Sequence, residues 1–258
     1  MPAHDDLTLL VDAARHAGRI ALVYFRADPQ VWHKEEGAGP VTEADLHVDR
    51  ALHEDLLAAR PDYGWLSEES EDDQRRLSTQ RQFIVDPIDG TRAFVEGRPD
   101  WAHSLAVAEG GTVIAAAVYL PVHDILFAAS LGGGATCNGQ PIAASARSDL
   151  KNADVLSPKG WFEPEYWRNG TPPPVQRSFR SSLAYRLCLV AEGRYDAMIT
   201  LRAAWEWDIA AGALIVSEAG GRITDRTGEP LVFNNAHPQL NGVVAGGGIQ
   251  PELLSRLA

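Results

Sequence analysis

The residues best suited to chemistry follow an apolar run, in the segment 85–91, which reads Val-Asp-Pro-Ile-Asp-Gly-Thr. Asp86 and Asp89 are separated by Pro87, which fixes its own φ and lacks an amide donor, so that both carboxylates can point to one place. The carbonyl of Ile88 lies between them. Three hard oxygen atoms at the end of a strand suit Mg²⁺, which takes oxygen ligands in octahedral geometry. The segment therefore predicts a magnesium site.

Gly90 and Thr91 open a short predicted helix, and their amides could hold a phosphate group at its N-terminus. An ordinary turn at the end of a strand explains the same residues about equally well, because Asp-Pro and Asp-Gly are both typical turn sequences.

Further acidic residues occur at three other places, and each has an ordinary structural explanation. Glu68 and Glu69 follow an apolar pair and are typical of a solvated strand end. Thr42 and Asp45 have the spacing of a helix-capping box. Asp208 lies near a predicted helix start, where the helix dipole favours an acid. The occurrence of all these segments in one chain, in this order, favours a shared site.

The elements that must position these residues are two helices, then strands, then alternating helices and strands. The first helix is predicted to begin at Asp5 or Asp6 and to reach Tyr24, and the second runs from Thr42 to near Pro61. The predicted strands of the first half are 65–66, 83–85, 104–108, 113–120 and 125–129, with a hairpin turn at 110–111. In the second half, helices 181–193 and 209–219 alternate with strands 197–201, 221–224 and 243–245.

This order predicts an α+β first half, residues 1–150, and a more α/β second half, residues 151–258. No linker long enough to separate independent domains is found, so residues 1–258 are expected to form a single catalytic unit.

A loop at 157–175 is rich in proline and aromatic residues. Its aromatic side chains could stack on a base, but packing on their own domain is favoured. The histidines form no spaced ligand set and are interpreted as structural or exposed.

Composition limits the classes of partner. The chain has 258 residues and a net charge of −12, which opposes binding to nucleic acid because the phosphate backbone is also negative. No apolar run approaches the ~18 residues of a membrane span. The cysteines Cys137 and Cys188 are predicted to be reduced, and no signal peptide is recognised, so the expected location is the cytoplasm.

The segments 42–45, 67–70, 86–91 and 207–221 resemble the signature blocks of the inositol monophosphatase superfamily. The resemblance spans the chain from the first helix to the last strands. It implies a five-layered α-β-α-β-α sandwich of the inositol monophosphatase and fructose-1,6-bisphosphatase type. It also implies Mg²⁺-dependent, lithium-sensitive hydrolysis of a small phosphorylated metabolite by metal-activated water, with two or three ions. The assembly considered for such a protein is a homodimer.

The resemblance also assigns roles to individual residues. The metal ligands it implies are the side chains of Glu68, Asp86, Asp89 and Asp208 and the carbonyl of Ile88. Thr91, paired with Asp45, would orient and deprotonate the attacking water, with Glu68 beside them. The residues implied in binding phosphate or substrate are Lys34, Asp89, Gly90, Thr91, Arg92 and the position of Leu201.

The substrate is predicted from two places, position 201 and residues 91–94, at which this chain differs from the inositol-specific members of the family. Inositol-specific members carry a glutamate seven residues before the last metal aspartate, where this chain has Leu201. The residues 91–94, Thr-Arg-Ala-Phe, are similar to the bisphosphate nucleotidases and to the histidinol-phosphatase branch. The favoured substrate is 3′-phosphoadenosine 5′-phosphate, with inositol 1-phosphate and histidinol phosphate as alternatives. A regulatory protein that retains the metal site is the alternative of another class, disfavoured because Asp45, Thr91 and Asp208 are all intact.

Overall fold

The computed structural model describes residues 2–33 and 39–258. Its α-helices are α1 (Pro2–Tyr24), α2 (Glu43–Ala59), α3 (Thr91–Val95), α4 (Leu183–Ala191), α5 (Glu206–Glu218) and α6 (Gln250–Arg256). Its strands are β1 (Val31–His33), β2 (Pro40–Thr42), β3 (Gly64–Ser67), β4 (Arg81–Asp89), β5 (Ala102–Glu109), β6 (Thr112–Leu120), β7 (Ile125–Ser130), β8 (Gly134–Cys137), β9 (Gln140–Pro141), β10 (Asp154–Leu156), β11 (Gln176–Ser178), β12 (Ala197–Thr200), β13 (Ala204–Trp205), β14 (Arg222–Thr224), β15 (Gln239–Leu240) and β16 (Val243–Gly246).

The larger sheet has seven strands in the order β3-β4-β5-β6-β7-β8-β9. β3 pairs with β4 in parallel, and every other neighbouring pair is antiparallel. The predicted hairpin between β5 and β6 is confirmed, since Gly110 and Gly111 have φ values of 56° and 83°. Positive φ values at a tight turn favour glycine.

Both faces of this sheet are buried, and the alternation of side chains along each strand decides which core they enter. In β4, Phe83 and Val85 pack with α1 and α2, whereas Ile84 points to the opposite face and packs with α4 and α5. The same period of two is seen in β6, where Ala117 joins the first core and Val118 the second.

The smaller sheet has five strands in the order β11-β10-β12-β16-β14. Helices α4 and α5 fill the space between the two sheets, and α5 is buried nearly all round, as expected of a helix covered on both sides. On the outer face of the smaller sheet, Leu253 of α6 packs with Val155 and Ile199. The layers are therefore α1 and α2, the larger sheet, α4 and α5, the smaller sheet, and α6. The predicted five-layered α+β sandwich is confirmed.

The predicted start of the first helix is wrong, because α1 begins at Pro2 and not at Asp5 or Asp6. Proline is well tolerated in the first turn of a helix, where its missing N–H leaves no bond unmade. Asp6 does not cap the helix; its buried carboxylate accepts hydrogen bonds from Arg60 at 3.0 Å and Arg81 at 3.1 Å.

The aromatic loop packs on its own domain, as the sequence favoured. Trp167 is buried and donates its indole N–H to the carbonyl of Trp161 at 2.9 Å, and the ring of Phe162 lies 5.5 Å from that of Trp167. These rings cover the outer core beside α6. None of the helices described combines the length and the apolar composition needed to cross a membrane.

Candidate active site

The end of strand β4 places the central acidic residues. The pairing of β4 with β5 shifts its register between Asp86 and Asp89, around Pro87, so that both acids lie on one irregular stretch. Gly90 follows with φ +100°, and a Cβ there would lie 3.1 Å from the carbonyl oxygen of Asp100. The sharp entry into α3 therefore requires glycine.

Three carboxylates from distant parts of the chain meet at this point. Oxygen atoms of Glu68, Asp86 and Asp208 all lie within 4.8 Å of one another. One oxygen of Asp86, Oδ1, is buried and accepts no hydrogen bond in the described structure. A buried carboxylate oxygen without a donor is costly unless a cation binds it. The donor set consists of hard oxygen atoms, so these residues fit a divalent cation such as Mg²⁺.

The electrostatics of the cluster agree with this interpretation. Burial, followed by the nearby charge of Glu68, raises the pKa of Asp86 well above its usual range. Burial and the charge of Asp89 do the same to the pKa of Asp208. Without a cation, these groups are therefore driven toward the protonated form.

Asp89 lies beside the cluster but has additional partners. Its Oδ2 atom accepts hydrogen bonds from the hydroxyl of Ser182 and the backbone N–H of Ala184, both at 2.6 Å. Ser182 is the N-cap of α4, so Asp89 is held at the positive end of that helix. Its charge acts on Asp86 and Asp208. Its role as a metal ligand remains a prediction.

Asp45 serves two sets of partners at once. Its Oδ2 accepts a bond from the N–H of Thr42 at 2.8 Å, and its own N–H donates to the Thr42 hydroxyl oxygen at 3.4 Å, which together form the capping box predicted from the sequence. The Thr42 hydroxyl also donates to Oδ2 at 2.5 Å. Its Oδ1 accepts a bond from the hydroxyl of Thr91 at 3.3 Å, and that hydroxyl also lies 3.1 Å from the carbonyl of Ile88. The capping box thus fixes the carboxylate that faces Thr91. Burial raises the pKa of Asp45 to about 6.

A residue not identified from the sequence positions the segment that contains Glu68. Asp49, one helical turn after Asp45 on α2, accepts hydrogen bonds from the hydroxyls of Ser67 at 2.5 Å and Ser70 at 2.6 Å. These two serines flank Glu68 on either side. The available signal was the spacing of four residues between Asp45 and Asp49, which places both on one helix face.

The start of α5, which presents Asp208, is also held by a buried acid. Glu206 accepts bonds from the N–H groups of Asn234 at 2.6 Å and Asn235 at 2.9 Å, and Ser104 of β5 donates to the carbonyl of Trp207 at 3.0 Å. These contacts join α5 both to the 232–236 segment and to the larger sheet.

His103 has the structural role that the sequence analysis gave to the histidines. It is fully buried beneath the site and donates from Nδ1 to the carbonyl of Pro87, between the two strand-end acids. Burial lowers its pKa to about 4, so it is neutral and holds the turn.

The remaining predicted substrate residues do not all reach the cluster. Lys34 lies outside the described residues. Leu201 packs with Ile199 and Val244 in the outer core, and the residue is 4% exposed. Arg92 is exposed on α3. Arg186, which was not identified from the sequence, is buried on α4 close enough to Asp89 to interact electrostatically.

Comparison with known proteins identifies similar chains. The sequence model of the inositol monophosphatase family matches residues 4–258. An inositol-1-monophosphatase of Rhizobium meliloti is 35% identical over 241 residues, with 86% of each chain covered. A histidinol-phosphatase of Mycobacterium tuberculosis is 34% identical, over 99% of this chain and 98% of the relative. The crystal structure of the extragenic suppressor protein suhB from Bartonella henselae superposes with a TM-score of 0.84, at 32% identity and 97% coverage of both chains.

The raised pKa values predict that the metal-free protein is less stable at neutral pH. Since the pKa of Asp45 is about 6 in the folded chain and near 3.8 when unfolded, the folded chain binds more protons between these values. Its stability is therefore lost as the pH rises through that window. In EDTA the melting temperature should fall as the pH rises from about 4 to about 6. Mg²⁺ should raise it again at pH 7.5, because a bound cation offsets the charges of Asp86 and Asp208, whose pKa values are raised further.

Asp86→Asn removes one of these buried charges. At pH 7.5 it should melt several degrees above the wild type in EDTA yet gain nothing from Mg²⁺; each kcal/mol is worth about 2–4 °C at this size. The exposed Asp62→Asn should behave as the wild type. An Asp86→Asn variant that melts no higher than the wild type in EDTA would contradict the repulsion argument.

Asp49→Ala should weaken Mg²⁺ binding about 10- to 100-fold, because residues that orient metal ligands typically contribute this much to affinity. Titration calorimetry with Mg²⁺ alone measures the change without turnover. Asp55→Ala, an exposed acid on the same helix that pairs with His16, is the matched control. Unchanged Mg²⁺ affinity with only a lower melting temperature would limit Asp49 to a structural role.

Proposed function

Because the chain belongs to the inositol monophosphatase family and is a phosphoric monoester hydrolase, we propose that it uses Mg²⁺ to hydrolyse 3′-phosphoadenosine 5′-phosphate. The observation that carries the reaction is the orphaned, buried oxygen of Asp86 within the Glu68–Asp86–Asp208 cluster, next to the Thr91–Asp45 pair. Phosphoryl transfer needs negative charge neutralised and reacting groups placed in line, with little covalent help from the protein.

Glu68, Asp86, Asp208 and, as implied by the resemblance, Asp89 and the Ile88 carbonyl would hold two or three ions. Bound Mg²⁺ would offset the charge of the phosphoryl group and lower the pKa of a bound water. The burial of Asp86 supports this role, because its Oδ1 is shielded from water and receives no hydrogen bond from the described residues. Burial raises the pKa of Asp89, and the hydrogen bonds from Ser182 and Ala184 oppose that rise.

The Thr91–Asp45 pair orients the nucleophile. The Thr91 hydroxyl donates to Asp45, so its lone pairs are free to accept a hydrogen bond from the attacking water. As the water oxygen bonds to phosphorus and the ester P–O bond breaks, a water proton passes to Thr91 while the Thr91 proton passes to Asp45. The leaving alkoxide oxygen takes a proton from solvent and departs as the alcohol. An acceptor with a pKa of about 6 is well matched to proton transfer near neutral pH.

The entry to α3 is the proposed phosphate cradle. Gly90 and Thr91 lie at the first positions of this helix, where backbone N–H groups have no intrahelical acceptor. Lys34 is expected, from the resemblance, to approach the same phosphate.

Two positions, Leu201 and Arg92, bear on the choice of substrate. The position expected to carry a sugar-binding glutamate holds Leu201, which packs in the outer core and offers no group to an inositol ring. The side chain of Arg92 is exposed beside the phosphate cradle and makes no hydrogen bond or ion pair with the described residues, so it is available to an additional phosphate. Relatives are named both inositol-1-monophosphatase and histidinol-phosphatase, so inositol 1-phosphate and histidinol phosphate are the alternatives to be tested.

A regulatory protein acting through a macromolecular partner is the second class. The hydrogen bonds from Thr42 that hold Asp45, and the contact of Asp45 with the Thr91 hydroxyl at 3.3 Å, favour the enzyme, since partner binding needs no water-activating pair. The proposed location is the cytoplasm, in keeping with the free thiols of Cys137 and Cys188, and a homodimer remains the proposed assembly to be checked.

The reaction is tested by phosphate release from the three esters in the presence and absence of Mg²⁺. Release should require Mg²⁺, be inhibited by millimolar Li⁺ as the family resemblance implies, and be abolished by Asp89→Asn, which removes a charge at constant size. Activity of Asp89→Asn within a few-fold of the wild type would remove Asp89 from the ligand set.

Thr91→Ala should lower kcat far more than KM, by about 10²- to 10⁴-fold, because alignment and proton transfer matter chiefly in the transition state. Asp45→Asn should behave alike, and the double variant should lose little more than either single one. Thr42→Ala, which loosens the capping box but leaves both reacting groups, should cost less. Fully additive losses would show that Thr91 and Asp45 do not act together.

A further inference from the structure

Arg186 is a charged residue in an otherwise apolar helix. It occupies the middle of α4, whose nine residues, Leu183–Ala191, are all buried, and its own residue exposure is 6%. Its Nε donates to the carbonyl of Ser182 at 3.3 Å, but its Nη1 is buried and makes no hydrogen bond in the described structure. A buried guanidinium N–H without a partner costs stability, and native proteins rarely keep one without a use.

The guanidinium is folded back toward the start of α4. Ser182, to which it donates, is the N-cap whose hydroxyl binds Asp89. The charge of Arg186 interacts with Asp89 and Asp208, which places it beside the acidic cluster. A cation at the positive end of a helix is unfavourable, so the helix dipole does not explain this placement.

Direct neutralisation of the acids does not explain the placement of Arg186 either. Among the described residues, Arg186 forms no ion pair with any carboxylate, and burial lowers its pKa to about 10, although Asp89 and Asp208 favour the charged form. The arginine is therefore incompletely satisfied by the protein itself.

Two exposed side chains extend the surface around this guanidinium. Arg202, between β12 and β13, acts electrostatically on both Arg186 and Asp208, and it makes no hydrogen bond or ion pair in the part of the chain described. The ring of Phe179, 46% exposed, lies 5.2 Å from the Arg186 guanidinium carbon. One aromatic face and two guanidinium groups thus border the cluster on its α4 side.

We propose that Arg186 and Arg202 bind an anionic substituent of the leaving group, so that the enzyme selects phosphate monoesters with a second negative charge. The inference rests on the proposed hydrolase function and assigns the charge selection to Arg186 rather than to Arg92. A phosphate or carboxylate would supply the missing acceptor for the Arg186 Nη1 in a charge-assisted contact. A neutral polyol leaves that N–H unpaired, and an ammonium group, as in histidinol phosphate, is repelled.

The test uses pairs of substrates that differ only in one charged group. One pair is 3′-phosphoadenosine 5′-phosphate and adenosine 3′-phosphate; the other is 2-phosphoglycerate and glycerol 2-phosphate. The ratio of kcat/KM within each pair, at saturating Mg²⁺, is the measured preference. The wild type should prefer the anionic member about 10- to 100-fold, the range expected of a charge-assisted hydrogen bond.

Arg186→Gln should reduce this preference about tenfold or more, and Arg202→Gln by a smaller factor, since Arg202 is exposed. Arg186→Lys keeps the charge but loses the planar donor fork, so it should fall between wild type and Arg186→Gln. Arg75→Gln, at a side chain 89% exposed, is the control and should retain the full preference. If Arg186→Gln does not fold, as judged by its melting curve, Arg202→Gln carries the test.

The outcomes separate the two proposals. If the wild type releases phosphate from no ester, the hydrolase proposal fails. If it hydrolyses these esters but prefers the neutral member, or if neither arginine variant that folds changes the preference, the assignment of Arg186 and Arg202 is overturned while the hydrolase stands. If Arg92→Gln abolishes the preference and Arg186→Gln does not, the second charge is bound at α3 instead.

Discussion

Mutual repulsion among closely spaced carboxylates is the constraint on which the rest of this structure depends. Glu68, Asp86 and Asp208 hold oxygen atoms within 4.8 Å of one another, and Asp89 lies beside them. A chain of this size has only ~5–15 kcal/mol of net stability, so such a cluster persists only if its supports are rigid and a cation can offset it. The two packed cores on either face of the larger sheet supply that rigidity.

Helix N-termini offset part of the charge. Asp45 and Asp208 lie in the first turns of α2 and α5, and Asp89 receives the N–H of Ala184 at the start of α4. Each helix thus directs its positive end toward an acid. The helices are themselves fixed by buried polar contacts: Glu206 anchors α5 to the 234–235 backbone, and Asp49 anchors α2 to the serines around Glu68. The layered fold brings these helix ends to the C-terminal end of β4.

Specificity within the family has a different physical basis from catalysis. In the proposed mechanism, the catalytic groups neutralise and orient a phosphoryl group that every substrate shares, whereas Arg186 and Arg202 bind the leaving group, which differs between substrates. Relatives of similar identity are named for inositol and for histidinol phosphates, so overall similarity does not decide the substrate. In our proposal the charge around Arg186 decides it, because a guanidinium favours an anionic leaving group and opposes a cationic one.

The sequence alone determined those features that are encoded locally. The strand-turn-helix of residues 85–91, the capping box of Thr42 and Asp45, the hairpin at Gly110 and Gly111 and the main helices follow from side-chain periodicity and turn chemistry, which act over a few residues. The resemblance of the separated blocks predicted the fold and the reaction class. The short strands β8 and β9 and helix α6 carried too weak a periodic signal to be predicted.

Only the tertiary structure decided how the distant groups meet. It placed Leu201 in the outer core, turned Asp49 toward the serines around Glu68, and buried Arg186 with an unused donor beside Asp89. Hydrogen bonds, burial and charge depend on which elements pack together, and these elements are brought together by the cores of two sheets rather than by neighbours in sequence. A lone arginine in an apolar helix was visible in the sequence, but its environment, and therefore its chemistry, is a property of the folded chain.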